Sequence, residues 1–258
     1  MGRDYTPSPG PVGVWSSENE PGSVGVVSYL ERLVPSRLVV CTWEQATTTQ
    51  HQQRIVPDAC VDLIWAEERL TVAGPDTRPR VVTLESGSRL VGARLRPGTA
   101  GAVLGLPASE LRDVSPDAAE VLGREVVAAL LEQLAAGSDP QALLLRAVHL
   151  RGARPDPLVR GALAALGRPR ARVGPVAAEL GVSTRELHRR DRDAVGYGPK
   201  MLARVLRFRR LQALPPATLV ELALDAGYAD QAHMTAEVTR LAGVSPVRFL
   251  KDRTPTAA

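Results

Sequence analysis

Cysteine and histidine are scarce in this 258-residue chain: Cys41 and Cys60 are the only two cysteines, and there are four histidines. Two thiols can build neither a disulfide framework nor a four-thiolate zinc site. A reducing cytoplasm is therefore the expected compartment. No apolar run reaches the ~18–20 residues that span a bilayer, so no membrane partner is expected. Residues 1–19 lack a basic segment followed by an apolar one, which argues against a secretory leader. No Gly-x-Ser-x-Gly, His-Glu-x-x-His or paired His-x-His motif occurs, and His51 is the only histidine before His149. The chain is not read as an enzyme, and no metal or cofactor is expected. Lysine is also rare, two against thirty arginines. Codon bias in a GC-rich genome explains that ratio without any chemical need.

What is present is globular: 44% hydrophobic and 23% charged residues, over a length that suits about two domains. The net charge of +4 hides an asymmetry. Residues 1–150 carry 13 basic and 18 acidic side chains, a balance of −5, whereas residues 151–258 carry 19 and 10, a balance of +9. A polyanion partner is therefore expected at the C-terminal part.

Residues 1–25, rich in Pro, Gly and Ser, read as a flexible tail. Residues 26–151 read as a β-rich domain closed by helices. Strand-like runs at 37–43, 61–65, 70–73, 81–84 and 89–95 are separated by turn clusters, which suggests a small antiparallel sandwich or barrel. Helical periodicity follows, with one helix opened by Ser115-Pro116 and another near 140–151. From residue 158 onward the pattern is helical throughout. The expected fold class is α+β, an N-terminal antiparallel sandwich or barrel followed by an all-α domain over 158–253.

That second part contains one pattern twice. Ala177-Ala178-Glu179-Leu180-Gly181-Val182-Ser183 with Gly196-Tyr197-Gly198-Pro199 recurs as Ala223-Leu224-Asp225-Ala226-Gly227-Tyr228-Ala229 with Gly243-Val244-Ser245-Pro246. Pro175 is placed at the start of a helix that Gly181 ends. Ser183-Thr184-Arg185-Glu186 then has capping-box spacing, as has Thr218-Leu219-Val220-Glu221, and Asp230 can cap the helix after Gly227. A helix restarting about three residues after the previous one stops is a helix-turn-helix. The expected units span about 158–198 and 215–250, joined by a helix at about 199–214.

Both copies resemble the two helix-turn-helix subdomains of AraC-type transcription regulators. The resemblance runs from about Val173 to Leu250 and includes Gly227-Tyr228-Ala229-Asp230-Gln231-Ala232-His233. The N-terminal part resembles a sensor-like domain found ahead of such DNA-binding domains in actinobacterial proteins. The pieces that carry this second resemblance are Pro57-Asp58-Ala59-Cys60-Val61-Asp62-Leu63-Ile64-Trp65, Ala73-Gly74-Pro75-Asp76-Thr77 and the run from Val91 to Gly98. A double-stranded DNA operator is the implied partner, together with RNA polymerase, a small-molecule effector and a second copy of the chain.

At 100° per residue, Leu187, Asp191 and Ala194 form the inward stripe of the first recognition helix. Arg185, His188, Arg189 and Arg192 form the outward one, and with Thr184 they are the expected DNA-binding residues. In the second recognition helix Met234, Val238 and Leu241 point inward. Ala232, Thr235, Ala236 and Thr239 point outward without a charge, and Ala236 stands where the AraC-type pattern has arginine. Gln231, Ala232, His233 and Ala236 complete the expected DNA surface. The first unit is expected to specify sequence and the second mainly to position against phosphates. Asp191 departs from the pattern by placing a carboxylate at an apolar position. The arginines of the connecting helix are expected to be internal ties and phosphate contacts rather than base readers. Trp43, Asp58, Asp62, Trp65, Arg94 and Arg96 are the candidate effector-binding residues, and Tyr29 is a further aromatic that could line the same pocket. A rival reading makes the protein a thiol- or alkylation-responsive DNA-binding sensor acting through Cys41 and Cys60.

Overall fold

A computed structural model describes residues 14–16 and 27–251. Eight strands come first: β1 (Val14–Ser16), β2 (Val27–Leu33), β3 (Val39–Thr47), β4 (His51–Ile55), β5 (Val61–Ala66), β6 (Arg69–Ala73), β7 (Arg80–Leu84) and β8 (Arg89–Leu95). They form a five-stranded sheet, β2-β3-β8-β5-β6, and a three-stranded sheet, β1-β4-β7, with every pairing antiparallel. The sheets meet where Gln45 of β3 donates to Gln53 of β4 at 2.6 Å, both side chains being buried. Val14–Ser16, inside the stretch read as a tail, is a strand paired to β4. The remainder of that tail lies outside the described residues.

Strand alternation assigns the two faces of the larger sheet. Val61, Leu63, Val72, Val91, Ala93 and Leu95 face a core closed by α1 (Ala100–Leu104), a 3-10 turn (Ala108–Leu111), α2 (Ala118–Leu122), α3 (Arg124–Ala135) and α4 (Pro140–Leu150). The helix expected to open at Ser115-Pro116 is two helices. Asp117 caps α2 by accepting from the Ala119 amide, and Gly123, at φ +95°, breaks the chain before α3. A void of about 20 Å³ remains in this apolar core. That is room for about one water-sized group.

The C-terminal half is all helix: α5 (Pro157–Leu166), α6 (Val173–Glu179), α7 (Thr184–Val195), α8 (Pro199–Ala213), α9 (Leu219–Ala226), α10 (Gln231–Ala242) and α11 (Pro246–Lys251). It holds two apolar cores that share α8. Leu202 and Val205 enter the first, with Val159, Leu187 and Val195; Phe208 and Leu211 enter the second, with Leu222, Met234 and Phe249. A helix buried on two sides explains why the apolar residues of α8 cover more than one stripe.

Candidate DNA interface and effector site

Helices α7 and α10 are twelve residues each, begin and end 47 positions apart, and both stop at a left-handed glycine, Gly196 and Gly243. The repeat read in the sequence is thus a repeat of structure. Ser183 caps α7 by accepting from the Glu186 amide at 3.1 Å. The Glu186 carboxylate accepts instead from Arg189, at 2.8 and 3.0 Å, and from Arg190 at 2.6 Å. The expected capping box is therefore half formed, because two guanidiniums one turn along attract a carboxylate more strongly than a neutral amide does. The hydrogen bonds from Arg189 and Arg190 hold the Glu186 carboxyl down at about 2. At Thr218 and Glu221 of α9, where no arginine competes, both halves of the box are present.

The outward face of α7 presents Thr184, Arg185, His188, Arg189 and Arg192, all exposed. Arg189 also pairs with Asp193 at 3.3 Å, so it is held along the helix axis. The His188 ring rests on the bare Cα of Gly198, where an added Cβ would fall 2.5 Å from ring atoms. Inward, Leu187, Asp191 and Val195 are buried, so Val195 rather than the half-buried Ala194 completes the stripe. Asp191 is wholly buried, and among the described residues neither carboxylate oxygen has a hydrogen-bond partner. Burial, then the nearby charge of Asp156, raise its pKa to about 7.

On α10, Met234, Val238 and Leu241 are buried, whereas Gln231, Ala232, His233, Ala236 and Thr239 are exposed. His233 is committed locally. Its Nδ1 accepts from the Ala229 amide at 3.2 Å and its ring meets Tyr228 edge-on. The arginines of α8 are tied internally. Arg204 bonds Glu237 at 2.5 Å, Arg207 lies over the Tyr228 ring, Arg209 reaches the Asp58 carbonyl and Arg210 reaches the Gly167 carbonyl.

A second cluster occupies the other face of the five-stranded sheet. The pairings Cys41↔Arg94 and Asp62↔Arg94 place these three side chains in one row, with Glu31 and Trp43 in the next. Arg94, 3% exposed, bonds Glu31 at 3.1 Å and Asp62 at 3.2 Å, and lies 4.0 Å from Asp58. The Trp43 indole donates to Asp62 at 3.2 Å, and the Tyr29 hydroxyl to Glu31 at 2.5 Å. The Trp43 ring lies on Gly92, where a Cβ would come within 2.2 Å of it. Burial pushes the Asp62 carboxyl up, against the opposing pull of Arg94.

Residues 176–252 match a family described as a helix-turn-helix domain. Residues 176–252 are an AraC-type helix-turn-helix domain. Residues 30–117 match a family described as a domain of unknown function (DUF6597). No curated protein sequence matches the chain. Among solved structures, ToxT from Vibrio cholerae O395 is 9% identical, with 90% of this chain and 99% of that one covered at a TM-score of 0.44. Unsaturated fatty acid bound wild-type ToxT from V. cholerae strain SCE256 is 9% identical, covering 96% and 98% at a TM-score of 0.43.

The AraC-type domain thus contains α7 and α10 and every residue expected at DNA. Of the six expected effector residues, the structure gathers Trp43, Asp58, Asp62 and Arg94, and it brings Tyr29 to them. Trp65 lies on the opposite sheet face, with the Arg89 guanidinium 5.9 Å from its ring. Arg96 stands past the end of β8 and donates to the Ser36 carbonyl at 2.8 Å. Glu31 was missed; only its parity with Tyr29 along β2 signalled it. The thiol reading finds no support. Cys41 and Cys60 are both buried, and burial pushes the Cys41 thiol up to about 12 and the Cys60 thiol well above its ordinary value. A thiolate is the reactive form, and neither site favours one. Among the described residues no helix is long and apolar enough to cross a membrane.

Proposed function

We propose that the chain is a sequence-specific transcription regulator whose AraC-type domain binds an operator and whose N-terminal domain answers a small molecule. One observation carries the reading: α7 has an exposed Arg185-His188-Arg189-Arg192 face inside a helix-turn-helix. Arginine bonds guanine O6 and N7 bidentately in the major groove, so this helix is the base reader. The outward methyls of Ala232, Ala236 and Thr239 on α10 can meet only apolar groove surface, which is the thymine methyl group. The effector site is the Arg94 cluster. A buried ionic network is a poor stabiliser compared with apolar packing, so its presence in a small β-domain supports a binding role.

Selection from a random duplex library with the full chain tests the reading. A recurring site is expected. A chain that binds every duplex alike at fixed salt would be an architectural protein instead.

The neutral α10 face makes a second expectation. Ala236→Arg, at the position equivalent to Arg189, adds a phosphate contact. It strengthens binding to all sequences alike and steepens the salt dependence by roughly one unit. A salt series on parent and variant measures both quantities. Unchanged affinity and slope would remove α10 from the DNA surface.

A further inference from the structure

The segment between β4 and β5 belongs to the N-terminal domain in sequence but packs into the other half of the molecule. Val56, 2% exposed, joins the apolar core of the second helix-turn-helix unit, with Phe208, Leu222 and Met234. Three residues later Ala59 joins the core of the first, with Val159, Val195 and Tyr197. Between them the Asp58 carbonyl accepts from Arg209 of α8 at 3.2 Å, the helix that both cores share. Just before them Arg54 donates to the Ala242 carbonyl, at the end of α10, at 3.1 Å. One short stretch therefore touches both units and the helix that joins them.

Its backbone is restricted for that purpose. Pro57 holds Val56 extended. Ala59 has φ +67°, a left-handed conformation that a residue with a Cβ adopts only when its surroundings impose it. Close backbone approaches beside it complete the docking. A Cβ on Gly101 of α1 would fall 2.3 Å from the Asp193 carbonyl oxygen of α7, and one on Gly196 would fall 2.4 Å from Pro75. None of these contacts covers Arg185, His188, Arg189, Arg192, Ala232 or Ala236, which stay exposed.

We infer that segment 54–60 is a bracket by which the N-terminal domain sets the relative placement of the two helix-turn-helix units. Two units held at a fixed spacing engage two groove segments as one rigid body. Two units on a loosened α8 must first be ordered, which lowers affinity for a two-part site without altering either recognition helix. The bracket begins at the Arg94 cluster, since the Asp58 carboxylate that lies 4.0 Å from Arg94 belongs to the residue whose carbonyl holds Arg209. This inference rests on the DNA-binding reading proposed above.

The test uses the full chain with Val56→Asp, which breaks the seat in the second core, and with Arg209→Ala, which leaves both cores intact. Binding is measured to the selected operator and to a shortened duplex holding only the part that α7 reads. Both variants are expected to lose about tenfold or more on the complete operator and to keep parental affinity for the shortened duplex. Equal losses on both duplexes, or none on either, overturn the bracket. Amide hydrogen exchange gives a readout independent of DNA. Protection should fall in α9 and α10 while the β3, β5 and β8 amides stay as in the parent. A parent chain that selects no sequence would refute the DNA reading alone, and exchange would still judge the bracket. Unchanged exchange in α9 and α10, or a uniform loss across the chain, would overturn it.

Discussion

Asp191→Leu is expected to raise the melting temperature of the protein, and to raise it more at pH 8 than at pH 5. The carboxylate of Asp191 is wholly buried between Leu187 and Val195 on the inward face of α7, with no hydrogen-bond partner for either oxygen among the described residues. Burial first, and the charge of Asp156 second, raise its pKa from 3.8 to about 7. The sign follows from linkage. The folded state holds this proton more tightly than the unfolded chain, whose carboxyl titrates near 4, so stability falls as pH rises from about 4 to 7. Above that window the full penalty applies, on the order of 4 kcal/mol, because each tenfold gain in proton affinity corresponds to about 1.4 kcal/mol. Leucine removes the charge and adds apolar contact, but its bulk can cost about 1–3 kcal/mol in strain. A net gain of roughly 2 kcal/mol is expected at pH 8, and a smaller one at pH 5. At this chain length that corresponds to roughly 2–4 °C per kcal/mol. Asp191→Asn is the control. It removes the part of the pH dependence that Asp191 contributes but keeps a buried polar group. Thermal unfolding of the three proteins at both pH values decides the matter. A lower melting temperature for the leucine variant at pH 8 would mean that the carboxylate is structurally required.

Arg185→Ala and Arg189→Ala are each expected to weaken operator binding by roughly 1–3 kcal/mol, the scale of a good base contact. The two should differ in kind. Arg185 is exposed and makes no ion pair among the described residues, so its loss removes only what it does at DNA. Arg189 is paired with Glu186 and Asp193. Both pairs are solvent-exposed and screened by water, so DNA can compete for the guanidinium. Removing Arg189 also takes away the arginine paired with Asp193, while Glu186 keeps Arg190, so a carboxylate is left uncompensated beside the face that meets phosphates and the loss is expected to be the larger. A base contact relaxes preference at one operator position, while a phosphate contact instead lowers the salt slope by about one. Binding isotherms over a salt series, on the operator and on single-position variants, separate these outcomes. Parental binding by both variants would show that α7 does not read bases.

The helical half was largely legible because its code is local. Caps, C-terminal glycines and inward stripes are set by residues within four positions of one another, and Thr218, Glu221, Gly227 and Asp230 act where that code places them. Where a competitor for a cap stood one turn away, as Arg189 and Arg190 do for Glu186, the local rule failed by half. In the β-domain, Asp62 and Trp65 are three apart on one strand and so point to opposite faces. The parity was in the sequence, but grouping the two as one site ignored it.

The sequence by itself determined the two-part architecture, the doubled helix-turn-helix, the cationic face of α7, the neutral face of α10 and the inward placement of Asp191, because each depends on periodicity along one helix or on charge summed over a segment. Only the tertiary structure decided the rest. The register of β8 against β5 and β2 against β3 brings Arg94 to Asp62 and Glu31 to Trp43, residues that are far apart in the chain and share no local signal. The docking of Val56 and Ala59 into two separate cores was equally hidden. A short apolar stretch reads the same whether it closes its own domain or grips another. The difference lies in which surfaces the fold leaves open beside it, and that is a property of the assembled chain.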